Sequence, residues 1–493
     1  MSGYERGRVL FQVLGREEVE AVHAGTLDVL ESSGIRIQSE ECLNLLEEAG
    51  GVVDRKTGAG RIPSALVEEA LRKCQRDFRL CARNPEYDIE PDRGHVHITT
   101  DGNMPSVLDF ETGQRRASTS ADLVKAGKVA NALDGAHIFW PPVSSQDYPE
   151  QVRHVADLKV SLESIEKHVQ VETTSFRREA EWLVALGEAL AGGPKELRRR
   201  PIFSSMHCPF SPLVLDAGST EGALALARAG IPICFYGMPQ AGISGPVTLA
   251  GSLVVNNAEV LAGLTLAQLA APGSAVFYGT GGAVFDMRTM TWAGGSPERG
   301  LISAASGELA HHYGLPILCG GIVTSAKLPG PQACYEKVIS GMAQIFSGCD
   351  MIAGLGALDD VSMFSLEELV LDDEMVRQMV RLGQGIIADP EHLAVDLIKK
   401  VGPGGSFVAQ RHTMAHLRKE HFICELTDRR TSEAWEAGGR KTVVDRARDR
   451  VRRLLADEVV TPIAPEVQAA MDEVFAKAEA DLRSHVSKAG GLR

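Results

Sequence analysis

Eight short apolar runs, each followed by a segment with helical spacing, alternate through the middle of this 493-residue chain. Few folds accept that alternation. The runs centre near Val107, Ile138, Val169, Ile202, Ile233, Val276, Ile317 and Ile352. The helical segments that follow are Ala121 to Leu133, Arg153 to Leu162, Arg177 to Leu190, Thr220 to Ala229, Val247 to Ala271, Gly300 to Tyr313, Gln332 to Phe346 and one opening at Ser365. Eight such units are what a closed parallel (β/α)8 barrel needs, and the spacing predicts one over residues 100–371. A doubly wound open sheet is the competing reading. It would carry a G-x-G-x-x-G turn after an early strand; none is found there, and Gly279 to Gly282 is a loose glycine cluster late in the chain.

The flanks read as helical layers. In residues 1–99, Arg16 to Leu30, Glu40 to Glu48 and Ser64 to Lys73 carry apolar residues at helical spacing, and Phe78 to Arg83 with His95 to Thr99 reads as a short strand pair. In residues 372–493, helical spacing recurs over Glu374 to Leu382, Glu391 to Lys400, His412 to Lys419, Ser432 to Glu436, Val443 to Leu455 and Pro465 to Leu482.

Composition narrows the function classes. A net charge of -14 argues against a nucleic-acid or anionic-membrane partner, since either calls for a concentrated basic face. The basic runs Arg198 to Arg200 and Arg446 to Arg453 read as a loop and a solvated helix face. The first residues lack the apolar core of a signal peptide, and no uninterrupted apolar stretch reaches membrane-spanning length, so no membrane association is expected. Nine scattered cysteines with no Cys-x-x-Cys spacing point to a reducing, cytoplasmic setting rather than a disulfide framework.

A barrel places its site at the C-terminal strand ends. Two of those ends repeat an aromatic pair, Phe235-Tyr236-Gly237 and Phe277-Tyr278-Gly279, in a chain with only 5% aromatics. Strand alternation lets one ring of each pair face the lumen, where it forms either rim core or a cage for a cation. His207 and Cys208 end the fourth strand, and Pro141-Pro142 follows Phe139-Trp140. Asp286-Met287-Arg288 is a surface ion pair or places a guanidinium on a substrate carboxylate. Lys327, with Gln332 and Glu336 behind it, is an anion site, an imine former or an exposed charge. Asn256, Asn257 and Glu259 interrupt an apolar helix and face either a second subunit or a polar site. His412, His416 and His421 lack the glutamate of H-E-x-x-H, which favours hydrogen-bonded histidines over zinc. With no G-x-S-x-G and no Walker loop, triad hydrolysis and nucleotide hydrolysis are disfavoured. The residues alone reach a barrel that binds something small, cationic and carboxylated. A barrel lyase or aldolase using the histidines or Lys327, and a non-catalytic binding or regulatory barrel, stay open.

Longer segments carry a resemblance. Met238-Pro239-Gln240-Ala241-Gly242, Pro246-Val247-Thr248-Leu249-Ala250-Gly251 and Asn257-Ala258-Glu259-Val260-Leu261-Ala262-Gly263 are followed by Asp286-Met287-Arg288-Thr289 and Ser325-Ala326-Lys327-Leu328-Pro329. Gln332-Ala333, Tyr335-Glu336-Lys337, His412-Thr413, His416, Arg418, Glu420-His421-Phe422, Asp428-Arg429 and Trp435 complete the set. The chain resembles the trimethylamine:corrinoid methyltransferase family, in the branch without pyrrolysine that holds glycine betaine methyltransferases. The resemblance implies a (β/α)8 barrel and methyl transfer from an amine to the Co(I) of a separate, cognate corrinoid protein. The chain lacks the D-x-H-x-x-G cobalamin signature, so the corrinoid is expected on that partner and none is expected to be held tightly here. The archetype activates its tertiary amine with a pyrrolysine in the stretch matching Gly320 to Gln332, where this chain has ordinary residues. A quaternary amine, glycine betaine first and then proline betaine, carnitine or choline, is therefore the expected substrate; a trimethylamine-type methyltransferase acting on another methylamine is the alternative. Gly330 stands where the family often has an acidic residue, so no role passes to that position. The expected substrate-binding residues are Phe235, Tyr236, Phe277, Tyr278, Asp286, Arg288, His207, Lys327, Gln332 and Glu259, with no catalytic residue and no metal ligand, in a homo-oligomer.

Overall fold

In a computed structural model that describes residues 3–91, 94–457 and 460–489, eight parallel strands close on themselves. They are β1 (His95–Thr100), β2 (Ile138–Phe139), β3 (His168–Val171), β4 (Phe203–His207), β5 (Ile233–Gly237), β6 (Val276–Thr280), β7 (Ile317–Gly320) and β8 (Met351–Leu355). Neighbours pair in chain order, and β8 returns to β1 with Ile352 opposite Ile98 and Ala353 opposite Thr99. Nearly every strand residue is buried, as expected where one face lines a lumen and the other lies under helices. The shell consists of α1 (Ser120–Ala132), α2 (Arg153–Ser164), α3 (Arg177–Ala191), α4 (Ala217–Ala229), α5 (Leu249–Ala270), α6 (Pro297–Tyr313), α7 (Pro331–Ser347) and α8 (Leu366–Gln384). Gly230 (φ 87°) and Gly314 (φ 73°) end α4 and α6 in the left-handed region, which turns the chain into the next strand without a Cβ penalty.

The first strand is not where the sequence predicts it. Val107 lies in Ser106–Leu108, which pairs antiparallel with Arg115–Ala117 and parallel with Met363–Phe364 in a small sheet beyond the β1 and β8 ends. The opening strand is His95–Thr100, whose alternation of polar residues with Val96 and Ile98 imitates a half-exposed strand because His97 and Thr99 face the lumen. The division drawn at residues 99 and 100 therefore falls inside β1. The expected partner of His95–Thr99 does something else: Leu80 and Ile89 form a single antiparallel bridge, and both pack into the lower lumen with Phe78, which stacks on Phe277 at 6.1 Å. This segment plugs the N-terminal end of the barrel.

Helix α5 is long and apolar enough to cross a membrane by length and composition, but it is the shell helix clamped between β5 and the N-terminal layer. Packing on all sides accounts for its lack of a polar face. Helix α8 ties the C-terminal layer down. The Glu374 carboxylate accepts from the backbone N–H groups of Glu425, Leu426 and Thr427 at 2.7, 2.7 and 3.0 Å, and Glu367 pairs with Arg448 at 3.1 Å.

Between α7 and α8, the Lys337 ammonium is fully buried against Asp372 (2.6 Å) and Glu368 (2.9 Å). Burial pushes the Asp372 carboxyl upward against the pull of Lys337, which holds the trio near electroneutrality. Removing one member of such a cluster strands the others. Lys337→Met should therefore cost about 3–5 kcal/mol in denaturant unfolding, and adding Asp372→Asn should recover part of it. A single-variant cost below about 1 kcal/mol would show that the cluster is solvated.

Candidate functional site

Register sorts the aromatic pairs. Phe235 stands opposite Tyr278 and Tyr236 opposite Gly279, so the two pairs are offset by one residue between neighbouring strands. Tyr236 and Phe277 face the lumen, while Phe235 and Tyr278 belong to the core between sheet and helices. Phe277 sits one layer lower, level with Cys234, where it meets the Phe78 plug. Phe235 lies under Gly263 of α5 and 5.5 Å from the His207 ring. The Tyr278 hydroxyl accepts from Asn256 and donates to Asn257, each at 3.1 Å. Of the four expected cage residues, only Tyr236 reaches the mouth.

Glycines decide how Tyr236 lies. A Cβ at Gly279 would sit 2.6 Å from Tyr236 Cδ2, one at Gly281 2.5 Å from its Cε1, and one at Gly320 would overlap its hydroxyl. The ring thus occupies a slot that three glycines leave open. Burial raises its hydroxyl well above the ordinary tyrosine value, so it stays protonated. Trp140, at the end of β2, meets it edge to face with centroids 6.1 Å apart and an interplanar angle of 81°. The indole Nε1–H donates to Glu172 Oε2 at 3.0 Å, and the Gly102 backbone presses against the same edge.

Charge gathers around these rings. Asp101, just past β1, is 6% exposed and accepts from its neighbour's Gly102 N–H at 2.9 Å. Burial pushes its carboxyl up to about 6, opposed by that N–H and by the charges of Arg299 and Lys337, and aided by Glu172. Arg299, in the first turn of α6, is 2% exposed. Its Nε–H donates to Gly320 O at 2.8 Å, and its guanidinium lies 4.7 Å from the Trp292 ring centroid. A Cβ at Gly320 would crowd Tyr236 Oη and an Arg299 Nη together. Two carboxylates and one guanidinium beside two aromatic faces make a mouth that favours a cation.

The other expected residues lie elsewhere, each for a physical reason. His207 points outward, its Nε2 3.0 Å from Thr220 Oγ1, and burial pulls it down to about 4, so it is neutral. Glu259 accepts from Ser211 Oγ at 2.8 Å and Leu213 N at 2.9 Å, which braces the loop after β4 from outside the barrel; burial raises it to about 7 against those two bonds. Asp286 and Arg288 form a surface pair at 3.2 Å at a hairpin tip, with the Arg288 side chain 91% exposed. Lys327 is exposed on the rim and pairs with Asp359 at 3.1 Å, so it is no imine former in an enclosed site. Gln332 is exposed and donates to Glu336 at 3.0 Å. Asn257 bonds Thr26 and Tyr313 within the chain, so neither asparagine serves the mouth or a free surface. The His412 and His416 rings stack at 4.3 Å, and among the described residues no His/Cys/Asp/Glu group is arranged to hold a metal.

Asp101, Glu172 and Arg299 escape the sequence reading. Glu172 had a usable signal, a carboxylate directly after an apolar strand. Asp101 was hidden by the misplaced first strand, and the reach of Arg299 depends on how α6 docks.

The trimethylamine methyltransferase (MTTB) family profile matches residues 2–483. A trimethylamine methyltransferase of Desulfitobacterium hafniense is 34% identical over 463 residues, covering 94% of this chain and 93% of its own. A glycine betaine methyltransferase from another strain of that species is 31% identical over 469 residues, covering 95% and 97%. Among solved structures, the monomethylamine methyltransferase of Methanosarcina barkeri aligns over 97% of this chain and 95% of its own, with 12% identity and a TM-score of 0.44.

If Asp101 helps hold a cation, the cation must favour its ionised form. Calorimetric affinity for tetramethylammonium should rise as pH passes upward through about 6, by up to about tenfold per unit, and Asp101→Asn should flatten the profile. An equally steep profile in that variant would remove Asp101 from the site.

Proposed function

The chain belongs to the trimethylamine methyltransferase family, and from that premise we propose that it moves a methyl group from a quaternary amine, glycine betaine or a related betaine, to the cobalt of a separate corrinoid protein. The observation that carries this reading is the Tyr236–Trp140 pair at the barrel mouth with Asp101 and Glu172 beside it. A quaternary ammonium offers no hydrogen-bond donor, so only ring faces and anionic charge can hold it. A hydrogen-bonding cleft would suit a protonated primary or secondary amine instead.

Leaving-group chemistry points the same way. Methyl transfer from a neutral tertiary amine would expel an amide anion. From a quaternary ammonium the breaking C–N bond leaves its electron pair on nitrogen and releases a neutral amine. No proton has to be delivered, so the mouth needs no general acid, and His207 at the end of β4 faces away from it. The segment from Gly320 to Gln332 holds ordinary residues and no covalent activator. Tyr236 and Trp140 would orient the ammonium, and the buried surroundings would exclude water.

The loops after β4 to β7 suit a docking partner. They expose Phe210, Met238, Val247, Met287, Met290 and Leu328, a crown of apolar side chains around the mouth that fits a protein carrying a large, flat cofactor. Once docked, the corrinoid supplies low-valent cobalt as the methyl acceptor.

Incubated anaerobically with glycine betaine and its reduced corrinoid protein, the chain should yield dimethylglycine and a matching change in the corrinoid spectrum. Omitting any one component should stop both. Trp140→Ala should lower kcat/KM by roughly 10- to 30-fold. Demethylation of trimethylamine, with no product from any betaine or from choline, would replace the quaternary reading.

A further inference from the structure

Arg299 has a donor left over. Its Nη1 is buried and has no hydrogen-bond partner, although the side chain is 2% exposed and its Nε–H is fixed on Gly320 O at 2.8 Å. A buried guanidinium normally spends its donors, because an unpaired charged donor costs more than a neutral one. Trp292 covers one face of the group, and Gly320 is the only residue that lets it approach the Tyr236 hydroxyl, since any Cβ there would strike both. Asp101 lies close enough for its charge to be felt, yet the two form no ion pair. The guanidinium is therefore positioned by a carbonyl and a ring, with its Nη2 near the Tyr236 hydroxyl across Gly320 and its Nη1 donor unspent.

We propose that Arg299 is the specificity-determining residue of this mouth, binding the carboxylate of a zwitterionic substrate while Tyr236 and Trp140 hold its ammonium. This rests on the quaternary-amine reading above. A guanidinium matches a carboxylate with parallel N–H···O bonds, which an ammonium side chain cannot reproduce. In glycine betaine one methylene separates the two charges, which suits a donor and a ring hydroxyl that meet over the same glycine. The arrangement also separates substrates by what they lack. Trimethylamine, tetramethylammonium and choline carry no carboxylate and would leave the buried donor unpaired, a stronger discrimination than an apolar pocket can provide. The role offered to Arg288 in the sequence reading, a guanidinium on the substrate carboxylate, thus passes to Arg299.

The test is a ratio measured by calorimetry on the chain alone, without the corrinoid partner. The wild type should bind glycine betaine more tightly than tetramethylammonium, and Arg299→Gln should erase that preference by roughly 10- to 100-fold. Arg299→Lys, which keeps the charge and loses the fork, should restore only part of it. Circular dichroism melting of each variant identifies any that fail to fold, and Arg299→Lys then carries the comparison. A wild type with no preference, or variants that weaken both ligands by the same factor, would overturn the assignment. Failure of methyl transfer with every quaternary amine would remove the functional reading and leave this binding ratio still measurable.

Discussion

The barrel closes through a seam only one residue pair wide on its β1–β2 side, Thr99 opposite Ile138, and the site depends on how that seam is held. Side chains make up for the missing ladder. The Thr100 hydroxyl donates to Trp140 O at 2.6 Å and accepts from Trp140 N at 2.9 Å. One residue earlier in each strand pairing, His137 N–H donates to Ile98 O at 2.8 Å and its Nδ1 accepts from Ile98 N at 3.1 Å. That acceptor role requires a neutral imidazole, and burial holds His137 well below its ordinary value, with the His97 and Lys167 charges adding to the effect. The same bonds that close the cylinder fix the backbone of Trp140 next to that of Asp101.

Space at the mouth comes from what the strands leave out. Gly279, Gly281 and Gly320 face the upper lumen where larger side chains would fill the centre. Lower down, Phe277, Leu318 and Met351 pack the interior as an ordinary barrel core. The lumen is therefore filled by large side chains below and by the Tyr236 ring in its glycine-lined slot above. The charges follow the same division, since the titratable groups at the mouth, Asp101 and Glu172, stand at strand ends and not in the packed layer.

Much of this was legible in the sequence, and the misses share a cause. Continuous apolar runs such as Ile233 to Tyr236 announce buried strands whatever their partners. The run at His95–Thr100 does not, because a lumen that holds His97 and Thr99 imposes a polar alternation on a fully buried strand. Alternation also showed that each Phe-Tyr pair splits between lumen and shell. It could not show which ring goes where, since that follows from the one-residue offset between β5 and β6. Arg288 and Lys327 sit in segments that carry the resemblance but end on the exposed rim, whereas Arg299 lies outside those segments and is buried. Segment likeness pointed to one face of the barrel. Depth within that face is a tertiary property.

The Phe78–Phe277 stack and the Leu80–Ile89 bridge give the cylinder a blind end. A small molecule then has one route in and the same route out, and that route is the opening a larger protein would cover. On the proposed function, such geometry would impose a compulsory order on turnover: the amine would arrive before its macromolecular co-substrate, and the demethylated amine would depart after that partner had lifted away.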